Sequence, residues 1–207
     1  MFHKIVNEQR GGFCFEQNGL FYAMLREIGY DVIRVEANVR TGDGSYGIPM
    51  DHMALIVTID DKRWLADVGF GDSYLEPLEV DNLQAQSLDN RHFKVLHDGT
   101  TGTYQYLDDN GNWQIQYRFF FVPHDLADYA EACHYMQTSP KTHFTQKRIC
   151  SKATADGRIS LSDLRFIERK GKTRTESLLE DESAFDTALL AHFGIDLTAA
   201  RMSVNRI

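Results

Sequence analysis

The sequence predicts an α+β protein in which a few helices pack around an antiparallel, barrel-like sheet. Helical apolar spacing occurs in three isolated stretches, near 14–28, 125–137 and 181–193, rather than between successive strands. The strands come as hairpins joined by short polar turns, at Asp60-Asp61-Lys62, Asp109-Asn110-Gly111, Asp156-Gly157 and Lys170-Gly171. The 207 residues, 43% hydrophobic and 25% charged, have an ordinary globular composition with enough material for a sizeable core.

The first helix follows Arg10-Gly11-Gly12-Phe13-Cys14. Phe13, Leu20, Phe21, Met24, Leu25 and Ile28 fall at helical spacing, and Gly29 reads as the stop. A thiol in the first turn of a helix meets unpaired backbone N–H groups and the positive end of the dipole, which favour thiolate over thiol. Gly11 and Gly12 would allow a tight turn and keep bulk away from the sulfur. The plain alternative is that Cys14 is a small apolar residue buried under a turn.

Ile33, Val35, Ala37 and Val39 alternate with polar neighbours, so 30–39 is a half-buried strand. The loop 40–49 carries three glycines but neither phosphate-binding pattern, and a flexible connection is the simpler reading. His52–Ile59 is a strongly apolar strand whose turn at 60–62 leads into Arg63–Gly71. Antiparallel pairing then brings His52, at the start of one strand, near Asp67, at the end of the other. A carboxylate inside Leu65-Ala66-Asp67-Val68 needs a partner to offset its desolvation, and His52 is the candidate. A purely structural His–Asp pair is the alternative.

Further on, 93–97, 104–107 and 113–122 read as strands, with Phe119-Phe120-Phe121 as barrel core. Leu126, Tyr129, Cys133 and Met136 mark a helix over 125–137 that Ser139-Pro140 closes. Short strands near 146–154, 157–161, 163–169 and 173–178 follow. A helix at 181–193, with Phe185, Ala188, Leu189 and Phe193 and a stop at Gly194, ends the pattern.

The net charge of −8 argues against a general nucleic-acid binder. The densest basic run, Arg169–Arg174, reads as a solvated hairpin tip. No apolar run approaches membrane-spanning length, and Met1–Glu8 has no signal-peptide core. Three cysteines without C-x-x-C suit free thiols in a reducing cytoplasm, the expected location. Eight histidines without ligand spacing lead to the expectation of no metal.

Cys14, His52 and Asp67 supply nucleophile, base and orienting acid, the minimum set for thiol acyl transfer. Their order is that of papain-like folds, with cysteine on a helix N-terminus and histidine and its orienter on a facing sheet. Arg10-Gly11-Gly12-Phe13-Cys14-Phe15-Glu16-Gln17-Asn18, then His52, then Asp67-Val68-Gly69-Phe70-Gly71 resembles the arylamine N-acetyltransferase family. The likeness continues through Ser139-Pro140-Lys141-Thr142-His143-Phe144 and Leu189–Ile195, covering nearly the whole chain.

The resemblance implies a cysteine-protease-like arrangement of helix, antiparallel β-barrel and α/β lid. It implies two-step transfer of an acetyl group from acetyl-CoA, through an acetyl-cysteine, to an arylamine, hydrazine or N-hydroxyarylamine. Acetyl-CoA is then a co-substrate, and no tightly bound cofactor is expected. By similarity Phe70 and Phe144, with Gly69 and Gly71, belong to the substrate-binding cleft, and the 42–49 loop lies near the CoA entrance.

The family's cysteine follows several dozen helical residues, whereas thirteen precede Cys14 here. Most of the N-terminal helical bundle is thus expected to be absent. The expected domains are 1–29, a remnant carrying the nucleophile; 30–123, barrel-like; and 124–207, a helix plus an α/β domain. An under-covered helix 14–28 would present an apolar patch to an oligomeric or other partner, and the site would be less shielded from water. The rival readings are an amide synthase with a carrier-bound acyl donor, a cysteine hydrolase, and a catalytically impaired remnant that binds a partner.

Overall fold

The computed structural model describes residues 1–88, 91–171 and 173–197. Helix α1 spans Cys14–Ile28 and stops at Gly29, whose φ of 106° is a left-handed cap that residues with a Cβ resist. The Gly29 N–H reaches the carbonyls of Leu25 and Arg26, and the Tyr30 N–H also bonds Leu25. At the other end Phe13 offers no side-chain acceptor, so the cap is one-sided: the Glu16 carboxylate accepts the Phe13 N–H at 3.2 Å. The Gln17 amide donates to the Gly12 carbonyl at 2.7 Å. One face of α1 buries Phe15, Asn18 and Leu25, while Met24 and Ile28 are exposed.

Strands β1 (Asp31–Val39), β2 (His52–Ile59) and β3 (Lys62–Ala66) follow. Asp60 and Asp61, with φ of 51° and 60°, make the two-residue turn that sets the β2–β3 register, Ile59 opposite Lys62 and Leu55 opposite Ala66. Then come β4 (Leu78–Glu79), β5 (Gln86–Leu88), β6 (Arg91–His97), β7 (Thr101–Leu107) and β8 (Trp113–Pro123). They form one antiparallel sheet in the order β4-β3-β2-β1-β8-β7-β6-β5.

All of His52–Val57 is buried, because both faces of β2 are covered. Ala54 and Ile56 join a core with Val35, Leu65, Tyr74, Phe93, Tyr104, Tyr117 and Phe119. Leu55 and Val57 pack with Leu25 of α1, Val32 and Ala66. Burying a side chain such as Leu25 contributes roughly 2 kcal/mol to holding α1 on the sheet.

The two edge strands are tied rather than left open. Gln86 of β5 uses its amide as a piece of ladder, accepting the Glu79 N–H and donating to the Glu79 carbonyl, both at 2.9 Å. Asp81, just beyond β4, binds Arg63 of β3 and lies 3.2 Å from His97 of β6. The sheet is thereby nearly closed. A 3-10 turn, Leu126–Tyr129, and helix α2, Ala130–Thr138, complete this unit, which comprises Met1 and residues 12–142. The single helix predicted over 125–137 thus starts as a tighter turn, capped by Asp128 accepting the Asp125 N–H at 2.9 Å.

The second unit comprises residues 2–11 and those from His143 onward. It holds a π-helical turn at His3–Asn7, a one-turn helix α3 (His143–Gln146), four strands and a last helix. Strands β9 (Ile149–Thr154), β10 (Gly157–Ser162), β11 (Arg165–Lys170) and β12 (Thr173–Leu178) form an antiparallel meander in sequence order. Helix α4, Glu182–Phe193, is capped by Asp181 accepting the Ala184 N–H at 2.9 Å, and it ends at left-handed Gly194. Its Phe185, Ala188, Leu189 and Phe193 pack on Ile159 and Leu161. The expected strand start near 146 is replaced by α3. Of the basic run 169–174 at the β11–β12 turn, Lys170, Gly171, Thr173 and Arg174 are exposed and Arg169 is half-buried, Lys172 lying outside the described residues. Among the described residues no helix is long and apolar enough to cross a membrane.

Candidate active site

Cys14 is the first residue of α1, half-buried, with its sulfur 4.0 Å from the Asp51 carbonyl. Helical periodicity puts Asn18, four residues on, along the same face. Asn18 is fully buried and joins three segments. Its amide donates to the Met53 carbonyl at 2.6 Å and to Asp67 Oδ1 at 2.8 Å, and its oxygen accepts the Val68 N–H at 2.9 Å. The α1 face that carries the thiol is thus bolted to β2 and to the segment after β3.

Asp67 sits just past the end of β3. Its Oδ2 lies 2.6 Å from His52 Nε2, at the start of β2. Its Oδ1 accepts from Asn18, from the Gly69 N–H at 2.9 Å and from the Phe70 N–H at 3.0 Å. Burial pushes this carboxyl up, but the His52 charge and these hydrogen bonds outweigh burial and hold it below the usual carboxylate range. For His52, burial works against the charged ring. The charges of Asp67 and Cys14, and hydrogen bonds to both, prevail and hold the imidazole well above its ordinary value. Nε2 is committed to Asp67, which leaves Nδ1 as the other ring nitrogen.

Aromatic rings fix the imidazole in place. Phe70 meets it edge-on with centroids 5.3 Å apart, and Tyr117 of β8 lies at 5.1 Å, while Phe70 and Tyr117 are themselves 5.2 Å apart. The buried Tyr117 hydroxyl pairs with that of Tyr74 at 3.2 Å. Neither Asn18 nor Tyr117 was singled out by sequence reasoning. Asn18 had a usable signal, a polar residue on the apolar face of α1, whereas Tyr117 looked like any core aromatic.

The glycines act differently from expectation. Gly11 and Gly12 do not adopt positive φ. Gly12 instead leaves room for its neighbour, since a Cβ there would stand 2.7 Å from Glu16 Oε2. Gly69 is where the backbone approaches the thiol: a Cβ would lie 2.6 Å from Cys14 Cα, 2.8 Å from its Cβ and 2.9 Å from Asn18 Nδ2. Gly71 has open space around it. Phe144 belongs to the second unit, in α3, where it is 38% exposed and stacks with His143 at 4.2 Å. Among the described residues no group of three or more His, Cys, Asp or Glu is placed to hold a metal ion.

Gly69→Ala is expected to push α1 away from the Asp67 segment. Overpacking of this kind costs about 1–3 kcal/mol of stability. Any Cys14-dependent activity should fall further than the unfolded fraction explains, which denaturant titration alongside initial rates will separate.

A family model described as N-acetyltransferase matches residues 1–202. An arylamine N-acetyltransferase of Escherichia coli (strain K12) is 27% identical over 201 residues, covering 96% of this chain and 71% of that protein. The solved structure of the arylamine N-acetyltransferase from Salmonella typhimurium superposes with a TM-score of 0.89 at 26% identity, over 98% of this chain and 77% of the other. The chain belongs to the arylamine N-acetyltransferase family. A further relative is the proansamycin X synthase of Amycolatopsis mediterranei, 28% identical over 183 residues, 86% of this chain and 70% of that protein. Membership in the arylamine N-acetyltransferase family makes this chain an acyltransferase by descent, with the expected cysteine-protease-like α+β fold.

Proposed function

We propose that the chain transfers an acetyl group from acetyl-CoA to an arylamine, hydrazine or N-hydroxyarylamine through an acetyl-Cys14 intermediate. The observation that supports this reading is the buried 2.6 Å contact of His52 with a fully satisfied Asp67 carboxylate, on the segment whose Gly69 closes on Cys14. His52 Nδ1 takes the thiol proton, and Asp67 holds the ring in the orientation that leaves this nitrogen free. The thiolate attacks the thioester carbonyl. The tetrahedral oxyanion is stabilised by backbone N–H groups at the start of α1, CoA thiolate leaves with the proton from His52, and the acetyl group stays on sulfur. The amine then attacks that carbonyl, His52 accepts its proton, and collapse returns the Cys14 thiolate.

Phe70 and Phe144, with Gly69 and Gly71, are proposed to bind the acceptor, and the 42–49 loop to flank the CoA entrance. Acetyl-CoA enters and leaves as a co-substrate. Oligomer formation over the exposed Met24 and Ile28 of α1, and a cytoplasmic location, remain part of this proposal.

Mixing the protein with acetyl-CoA and no amine tests the reading. Peptide mass mapping should find a gain of about 42 Da, one acetyl group, on the Cys14 peptide, and adding a hydrazine should discharge it. Similarity to proansamycin X synthase favours one second reading, a related amide synthase with a carrier-bound acyl donor. An unmodified Cys14 peptide with acetyl-CoA, together with acylation by a carrier-linked thioester, would select it.

A further inference from the structure

Val39 pairs with Tyr117 of β8, but on its β2 side it ends β1 in a position that the ladder does not serve. The β1–β2 pairing runs from Asp31 opposite Thr58 to Ala37 opposite His52, so the next step would set Val39 against Met50. Met50 instead has φ 58°, left-handed backbone rarely occupied by residues with a side chain, and the strand breaks there. The Asp51 side chain substitutes for the ladder: its Oδ1 accepts the Val39 N–H at 2.9 Å. The Val39 carbonyl accepts the Gly47 N–H at 3.0 Å. The other Asp51 oxygen presses on Gly47, where an added Cβ would stand 1.7 Å from Oδ2. Val39, Gly47 and Asp51 therefore clasp the 40–50 loop to the end of β1. Two weaker ties run alongside, from the Asn38 amide to the Ile48 carbonyl at 3.3 Å and from the Met50 N–H to Glu36 at 3.2 Å.

The clasp lies against the reactive groups. Asp51's own carbonyl faces the Cys14 sulfur at 4.0 Å, and the next residue is His52. A neutral amide could accept the Val39 N–H as well as a carboxylate does, without the desolvation that a side chain only 8% exposed incurs. Asp67 offsets that cost with bonds from Asn18, Gly69, Phe70 and His52; Asp51 receives one, from Val39, among the described residues. The charge needs another reason, and the imidazolium of His52 is beside it.

We propose that Asp51 is a positioning residue for acyl transfer: it fixes the carbonyl facing Cys14 by clasping the loop, and sets a second negative charge beside His52. The proposal rests on Cys14 and His52 acting as nucleophile and base. Burial raises the Asp51 carboxyl to about 6, although the Val39 hydrogen bond and the His52 charge pull it down; Glu36 adds to the rise and Arg118 opposes it. The folded-state value exceeds that of free aspartate, so ionising Asp51 lowers stability as pH rises from about 4 to about 6. Across the same range the charge beside His52 appears, and Cys14 reactivity should gain an inflection near pH 6 that belongs to Asp51.

The test is the rate of Cys14 alkylation by iodoacetamide against pH, followed by peptide mapping to separate Cys14 from Cys133 and Cys150. It is run on the full chain as wild type, Asp51→Asn and Asp51→Ala. Asp51→Asn keeps an oxygen for Val39; it should melt like the wild type near pH 4 and higher than it above about pH 6, lose the inflection near pH 6 and alkylate about tenfold more slowly above it. Asp51→Ala removes the clasp as well and should react more slowly still. If Asp51→Ala does not fold, Asp51→Asn decides alone. An Asp51→Asn profile that follows the wild type at every pH overturns the proposal. The assay needs no acyl donor, so a chain that resists acetyl-CoA yet shows the Asp51 inflection would reject acetyl transfer and keep this role for Asp51.

Discussion

Cys14→Ser is expected to lower acetyl-CoA-dependent acetylation of a hydrazine or aniline by about three orders of magnitude or more, with the fold intact. A serine hydroxyl at the same place stays protonated near neutral pH. Its shorter bond to Cβ also draws the nucleophilic atom back from the substrate. The residue is half-buried at a helix start, so stability should change by no more than about 0.5 kcal/mol. An independent readout follows from the electrostatics. Cys14 is one of the groups that raise the proton affinity of His52 against burial, so the variant's imidazole should titrate at lower pH, measurable by NMR. Undiminished turnover in Cys14→Ser would remove this sulfur from the mechanism. An unmoved His52 titration would show that thiol and imidazole do not communicate.

How much of this was legible in the sequence varied with the length of the pattern. Helix α1 was readable to the residue because Leu20, Leu25 and Ile28 keep a helical period and Gly29 supplies its stop. The meeting of His52 and Asp67 was readable because a tight turn at 60–61 leaves the β2–β3 register little freedom. Strands β4 and β5, two and three residues long, have no period to read; they exist because Arg63, Asp81 and Gln86 tie them to distant neighbours. Helix α3 is a single turn and equally silent. Asp51 carries no pattern in the sequence, since only the three-dimensional break at Met50 turns its side chain toward Val39. Asn18 shows the same limit from inside a legible helix: its partners Met53, Asp67 and Val68 lie on segments far along the chain.

Asp67→Asn carries the other large expected effect, on both activity and stability. The Asp67 Oδ1 already takes three donors, from Asn18, Gly69 and Phe70, so the new amide must keep its oxygen on that side. Its NH2 then faces His52 Nε2 and forces that nitrogen to accept. The ring proton moves to Nδ1, the nitrogen needed to deprotonate Cys14, and transfer should fall by about 10³–10⁴. Losing one member of a buried ion pair costs about 3 kcal/mol, which for a chain of this size is a melting-point drop of roughly 10 °C. The pH dependence separates this from a generic packing defect. His52 has a raised folded-state affinity, so its contribution is full below the unfolded value near 6.5 and is lost as pH rises through the folded one. Asp67 is held low, so its contribution is present above about 3.9 and is lost as pH falls through its folded value. The melting-point gap between wild type and Asp67→Asn should therefore be widest from about pH 4 to about pH 6.5 and narrow on either side. A gap that stays constant with pH would mean that the charges of His52 and Asp67 do not hold this site together.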